Sequence, residues 1–220
     1  MAVDGPSGSG KSSASKGVAH ALGLRYLDTG AMYRALTWWL MSQHADITDE
    51  TLVASRAAEP AIEVSTDPDD PWTRVDGRDV SGQIRTREVS AQVSTVASVP
   101  EVRRHLISLQ RAIIAAAQPG IVAEGRDIGT VVAPDAQLKV FLTAHSQARA
   151  ERRAAEQGAA VDVTEADQDR RDRLDAAQSA KAADAVLLDA TDLTLPEVIG
   201  AITRLARERA PLARAGGESS

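Results

Sequence analysis

The segment GPSGSGKS at residues 5–12 restricts the fold of this chain more than any other. It matches G-x-x-x-x-G-K-[ST] at every fixed position, and it stands between an apolar run and a predicted helix, as that motif requires. Its glycines let backbone N–H groups turn around a phosphate, with the positive end of the helix behind them. We predict a nucleoside triphosphate site formed by Gly5, Pro6, Ser7, Gly8, Ser9, Gly10, Lys11, Ser12 and Ser13.

Two side chains of this loop have chemical roles of their own. Lys11 is expected to reach the β- and γ-phosphates of the nucleotide, where charge develops during transfer. The Ser12 hydroxyl is expected to ligate Mg²⁺, which makes Mg²⁺ the predicted cofactor.

Apolar, strand-like runs alternate with helical patterns along the rest of the chain, which predicts an α/β fold with a parallel sheet. The run at 60–82 differs, because Asp-Pro, Asp-Gly and Ser-Gly turns divide it into short pieces typical of a small antiparallel insert. The predicted strands lie at 1–3, 25–27, 120–123, 138–142 and 185–188, and the predicted helices at 11–22, 30–43, 101–117, 146–157 and 196–209.

Composition limits the possible partners and location. The net charge of −6 argues against a protein that coats nucleic acid. No apolar run approaches the length of a membrane span, and no signal peptide is visible, which favours the cytoplasm. Arginine dominates the basic residues, with 21 against four lysines. Since arginine binds phosphate in a bidentate manner, this excess suggests a small anionic ligand, although a composition bias explains it equally well.

Two further motifs follow predicted strands. In DTGAMYR at 28–34, Asp28 and Thr29 can cap a helix, and Arg34 lies one turn further on, where it can reach an anion. In EGRDIGT at 124–130, Arg126 and Asp127 carry opposite charges at the mouth of a buried strand. The N-K-x-D motif with which GTPases read the base is missing, so a kinase is the favoured class.

These motifs, together with DGRDVSGQIRT, VPEVR and DAQLKVFLTA, resemble the bacterial cytidylate (CMP) kinase family in order and spacing, from residue 2 to about 205. The resemblance implies a five-stranded parallel sheet flanked by helices, a helical lid, and transfer of a phosphoryl group from ATP to CMP or dCMP with Mg²⁺. It implies one domain over 1–220, with its core at 1–28, 119–143 and 183–210, a CMP-binding subdomain at about 29–118, a lid at about 146–166 and a disordered tail at about 215–220. A monomer is expected.

The family's acceptor residues carry over by position. Ser94, Arg103 and Asp127 match those that read the cytosine edge. Thr29, Arg34 and Arg126 match those near the CMP phosphate, and Arg171 and Asp175 match the pair that contacts the sugar.

Chemistry supports these roles independently. A carboxylate can accept from the cytosine amine, whereas uracil presents a carbonyl there, so Asp127 would face it acceptor to acceptor. The attacking phosphate oxygen is already anionic and needs no general base, so alignment and charge neutralisation suffice. Lys11, Arg126 and the lid residues Arg152 and Arg153 are predicted to supply that neutralisation, with Arg149 on the same helix face. A solvated helix face is the alternative for the lid arginines.

The chain departs from the family after Asp175. Ala176 stands where the family has Ser, Gln178 stands where it has Arg, and four residues that include Pro-Leu are missing. Weaker CMP binding, compensation by Arg170 or Arg173, and a mobile segment all remain open. A P-loop kinase of another small anionic acceptor, such as shikimate, and a weakly active nucleotide-binding regulator are the alternative functions.

Overall fold

Five parallel strands form the central sheet of the computed structural model, which describes residues 1–157, 170, 173–175 and 179–209, without the side chains of 153–157. The strand order β2-β6-β1-β7-β8 confirms the predicted fold class. The strands are β1 (Ala2–Asp4), β2 (Arg25–Asp28), β6 (Ile121–Gly125), β7 (Lys139–Thr143) and β8 (Val186–Asp189).

The short strand β1 occupies the centre of the sheet. Its Ala2, Val3 and Asp4 lie opposite 123–125 of β6 and 139–141 of β7, so its backbone is fixed on both sides. All three residues are buried, as expected for a parallel strand covered on both faces. The loop that follows β1 therefore starts from a rigid position.

Helices cover both faces of the sheet and form two apolar cores. One core contains Leu27, Met32, Leu36 and Leu106, and the other contains Val18, Val140 and Ile202. The helices are α1 (Lys11–Leu22), α2 (Thr29–Ser42), α3 (Glu50–Arg56), α4 (Arg87–Ser98), α5 (Pro100–Ala116), α6 (Ser146–Gln157) and α7 (Leu195–Arg209). Five of them agree with the predicted helices to within about two residues, whereas α3 and α4 had not been predicted.

A separate antiparallel sheet confirms the predicted insert. It consists of β3 (Ile62–Val64), β4 (Thr73–Val75) and β5 (Arg78–Asp79) in that order. Asp76 and Gly77 have positive φ angles of 51° and 75° in the turn between β4 and β5, as a tight hairpin with an Asp-Gly turn requires. This sheet packs against α2 and so lies beside the sheet end where α2 begins.

Part of the predicted domain plan lies outside the described residues. The lid is described only as far as Gln157, and the tail at about 215–220 is not described. Among the residues that are described, no helix combines the length and the apolar character needed to cross a membrane.

Candidate active site

The phosphate-binding loop connects β1 to α1 at the carboxyl end of the sheet. Gly5, Gly8 and Gly10 have positive φ angles of 153°, 74° and 87°, conformations that side-chain-bearing residues rarely adopt. Gly5 is also fixed by space, because a Cβ atom there would lie 2.0 Å from the backbone oxygen of Leu142. Lys11 Nζ donates to Pro6 O at 2.7 Å, which holds the ammonium over the loop.

Glu124 lies directly behind this loop. Ser12 Oγ donates to Glu124 Oε1 at 2.6 Å, and Tyr26 Oη donates to the same oxygen at 3.2 Å. Burial raises the pKa of Glu124, and the neighbouring charge of Asp28 adds to that increase. Since the Ser12 proton points to Glu124, both lone pairs of the Ser12 hydroxyl are left for another partner.

The first turn of α2 forms a second wall of the cleft. Asp28 Oδ1 accepts from Ala31 N at 2.9 Å, so Asp28 is the predicted helix cap. Its other oxygen accepts from Arg85 Nη2 at 3.2 Å, which links the start of α2 to the segment after β5. Thr29 Oγ1 donates to Glu124 O at 2.7 Å, and Arg34 lines the cleft.

The EGRD segment contributes Asp127 to a largely buried ion pair. Asp127 is buried and forms an ion pair with Arg103 of α5. Ser94 and Tyr33 line the same cleft, and the hydroxyls of both are buried without a hydrogen-bond partner among the described residues. Burial raises the pKa of Tyr33 to about 12, so its hydroxyl is protonated near neutral pH. Buried polar atoms normally find partners, so we expect both hydroxyls to bind a ligand in the cleft.

Arg126 connects this segment to two other parts of the cleft. Its Nη1 donates to Gly5 O at 3.0 Å, at the start of the phosphate-binding loop. Its Nη2 lies 2.9 Å from Asp175 Oδ2. Arg126 and Asp127 therefore extend in different directions from adjacent positions, and each contacts a different element.

Together these elements enclose one cleft of about 150 Å³ that spans the phosphate-binding loop and the Asp127–Arg103 pair. Five cations and four carboxylates line it, most of them in pairs. These charged residues are Lys11, Arg34, Arg85, Arg103, Arg126, Asp28, Glu124, Asp127 and Asp175.

Comparison with known proteins identifies the family. The cytidylate kinase family model matches residues 1–208. A cytidylate kinase of Streptomyces avermitilis is 53% identical over 95% of this chain and 93% of its own length. One from Mycolicibacterium paratuberculosis is 46% identical over 97% of both chains. The chain belongs to the cytidylate kinase family.

The fold has a counterpart among solved structures as well. An uncharacterized protein from Eubacterium ventriosum shares it with a TM-score of 0.51 at 10% identity, over 94% of this chain and 97% of that one. Family membership identifies the chain as a nucleoside monophosphate kinase and agrees with the ATP-binding loop derived from the sequence.

The predicted lid arginines of this family member have different surroundings. Arg149 is buried, and its Nη1 donates to Ser7 O of the phosphate-binding loop at 2.9 Å. Arg152 Nη2 donates to Ala190 O at 2.6 Å, in the segment after β8. The side chain of Arg153, and the whole of Arg171, lie outside the described residues. Among the described side chains of α6, that of Arg149 contacts the loop.

Sequence reasoning missed several residues that line the cleft. Arg85 follows the DVSG stretch and Tyr33 precedes Arg34, so both lay inside motifs already noted. Arg85 could have been found from its position in DVSGQIRT, four residues after Ser81, because no role had been assigned to the residues of that motif. Nothing in the sequence separates Tyr33 from a core tyrosine, because only its place in the fold leaves the hydroxyl without a partner.

Proposed function

We propose that this chain transfers the γ-phosphoryl group of ATP to CMP or dCMP, giving ADP and CDP or dCDP. The observation that carries the proposal is the buried Asp127–Arg103 pair in the same cleft as the phosphate-binding loop. A carboxylate beside a guanidinium presents an acceptor next to a donor. That arrangement is complementary to the amine and ring nitrogen of cytosine.

On the donor side, backbone N–H groups of the loop and the Lys11 ammonium bind the phosphates of ATP. The start of α1 adds its positive end to this field. We assign Gly5, Pro6, Ser7, Gly8, Ser9, Gly10, Lys11, Ser12 and Ser13 to ATP binding.

On the acceptor side, Ser94, Arg103 and Asp127 bind the base. Arg34 and Arg126 face the space between the base site and the phosphate-binding loop, where the CMP phosphate would lie. Asp175 and Arg171 are proposed to contact the sugar. Because the phosphate oxygen attacks as an anion, the arginines act by holding it in line and neutralising charge.

The residues around Ser12 suit a magnesium ion bound with ATP. Mg²⁺ keeps several waters and takes few protein ligands, so one hydroxyl oriented by a buried carboxylate is an adequate site. Ser12 would hold the ion, which would neutralise charge on the β- and γ-phosphates. Glu124 keeps the Ser12 proton turned away from it.

The lid assignment remains a proposal. Arg152 and Arg153 are proposed to reach the transferring phosphoryl group when α6 moves toward the loop, together with Lys11 and Arg126. The contact of Arg149 with Ser7 O supports a functional link between α6 and the loop. We also propose that the protein is a cytoplasmic monomer. Its elution volume in size-exclusion chromatography tests the monomeric state.

An ADP-release assay with CMP, dCMP, UMP, AMP and shikimate as acceptors tests the proposed function. We expect turnover with CMP or dCMP, weaker turnover with UMP, and none with shikimate. No turnover with either cytidine nucleotide would refute the proposal. ATP binding without turnover would favour a regulator, and turnover with shikimate alone would favour another small-acceptor kinase.

A further inference from the structure

Asp4 is a buried carboxylate to which the reaction described above assigns no role. It ends β1 and is only 4% exposed. Its backbone is fixed by pairing with Gly125 of β6 and Phe141 of β7. Burial raises the pKa of Asp4, and two backbone N–H donors oppose that increase. A charge in such a place is costly unless its partners are well arranged, so those partners are informative.

Both oxygens of Asp4 bind the backbone immediately after Asp127. Oδ1 accepts from Ile128 N and Oδ2 accepts from Gly129 N, each at 2.8 Å. Hydrogen bonds to a charged acceptor are stronger than neutral ones, and two of them fix the direction of the peptide planes. Asp4 therefore fixes the direction of the backbone that follows Asp127.

This stretch of backbone is an unusual turn that needs support at both ends. Residues Ile128–Val132 form one turn of π-helix, with Val132 N donating to Asp127 O at 3.2 Å. Asp4 holds its first N–H groups, and Arg111 of α5 donates to Val131 O and Val132 O at 2.7 and 3.1 Å. Such turns are rare and occur often at functional sites.

Gly5, the residue after β1, contacts Arg126, the other charged residue of the EGRD segment besides Asp127 and Glu124. Gly5 O accepts from Arg126 Nη1, whereas the Asp4 side chain binds the two residues after Asp127. The junction of β1 with the phosphate-binding loop thus contacts both sides of the acceptor segment. A shift of this junction would move the base site relative to the phosphate site.

We propose that Asp4 is a positioning residue that fixes the carboxylate of Asp127 against the acceptor base and so contributes to acceptor specificity. This inference rests on the proposed function, since it assumes that Asp127 reads cytosine. Asp4 acts through the backbone of Ile128 and Gly129 and does not itself contact the nucleotide.

Asp4→Asn tests the proposal, because an amide offers one acceptor oxygen where the carboxylate offers two. We measure KM and kcat for CMP, UMP and ATP, together with the melting temperature. The expected result is a rise of about tenfold in KM for CMP and a fall of at least roughly threefold in the CMP-over-UMP preference, since small displacements of binding groups have large effects. The KM for ATP should change less than about twofold, because pairing with β6 and β7 holds the β1 backbone.

A second variant and a control separate positioning from stability. Gly129→Ala places a methyl group 3.2 Å from Asp4 Oδ2, and it should reproduce the loss of preference. Ile202→Val, on the buried face of α7, lowers stability away from the cleft and should leave the preference unchanged.

The possible outcomes are distinct. A lower melting temperature with unchanged KM for CMP and unchanged preference in Asp4→Asn would overturn the proposal. If Asp4→Asn does not fold, Gly129→Ala decides by the same criterion. If the unsubstituted protein turns over neither CMP nor dCMP, the proposed function fails instead.

Discussion

Asp127 and Arg103 form the ion pair to which we assign recognition of the acceptor base. Each is largely buried, and each has a partner within the protein. Buried ion pairs contribute little net stability, since desolvation offsets their attraction. We propose that their value is geometric, because they present an acceptor and a donor side by side in the cleft.

The first prediction concerns the base-reading carboxylate. Asp127→Asn replaces two acceptor oxygens with one acceptor and one donor, so the site no longer rejects uracil. We expect kcat/KM for CMP to fall roughly hundredfold and the CMP-over-UMP preference to narrow. Steady-state kinetics with both acceptors measure this, with Asp135→Asn, an exposed position away from the cleft, as the matched control. A variant with full preference would show that the base is read elsewhere.

The second prediction compares the two tyrosines. Tyr33→Phe removes a buried hydroxyl without a partner in the described structure, so the melting temperature should stay equal or rise. The KM for CMP should rise about fivefold, the value of one hydrogen bond to a ligand. Tyr26→Phe removes a hydroxyl that donates to Glu124, so it should lower the melting temperature instead. A stability loss in Tyr33→Phe would contradict the assignment of its hydroxyl to the ligand.

At the scale of elements, the carboxyl ends of the parallel strands determine the position of the cleft. β1, β2 and β6 end in the phosphate-binding loop, the Asp28 cap and the EGRD segment. Parallel pairing brings these ends to one edge of the sheet, although residues 5–120 separate β1 from β6. The cleft therefore follows from topology combined with what each strand carries at its end.

The third prediction concerns the connection between β1 and α1. Gly5→Ala places a Cβ atom against the backbone of β7 at a φ of 153°, so it should destabilise the fold by about 3 kcal/mol or more. Gly10→Ala meets no atom within 4 Å, so only its left-handed backbone opposes it, at about 1–2 kcal/mol. Urea unfolding of both variants measures the difference. Equal losses would mean that contact with β7 is unimportant.

The sequence predicted the sheet and five helices because each has a clear pattern and a recognisable start. It did not predict α4, whose serine, threonine and valine residues suit strands as well as helices. In the structure, Thr86 Oγ1 caps α4 by accepting from Val89 N, and packing against α2 supplies the remaining stability.

The prediction of the site has a similar limit. Asp127, Arg103 and the loop were found through motifs, and the structure places them in one cleft. The ion pairs of Asp28 with Arg85 and of Arg126 with Asp175 join distant segments, so no local pattern reveals them. The contacts of Asp4 with Ile128 and Gly129 likewise depend on the pairing of β1 with β6.

At the scale of the whole molecule, charged pairs connect parts that are distant in sequence. Lys139 of β7 is buried, and its Nζ lies 2.9 Å from the carboxylate of Asp184, which precedes β8. The hydrogen bond from Lys139 lowers the pKa of Asp184. A lowered pKa means that the pair stabilises the fold above the unfolded value of 3.8 and that this contribution is lost as the pH falls below it.

The fourth prediction follows from the lowered pKa of Asp184. Asp184→Asn leaves the buried Lys139 charge without its carboxylate, so the melting temperature should fall at pH 7 and pH 5 alike. The difference from the unsubstituted protein should shrink below pH 3.8, where the native carboxyl becomes protonated. Adding Lys139→Met to the Asp184→Asn variant should restore its melting temperature at neutral pH. A difference that grew on acidification would refute this account.

The π-helical turn after Asp127 has a consequence for changes in chain length. One turn of π-helix holds one residue more than an α-turn, so deleting a single residue here would leave the backbone too short to reach from the N–H groups bound by Asp4 to the carbonyls bound by Arg111. The buried side chain of Val132 and the two carbonyls bound by Arg111 would then face other directions. Residues 69–71, at the tip of the connection from β3 to β4, are exposed and can vary in length. Natural insertions and deletions should therefore accumulate in that connection and be excluded from 128–132.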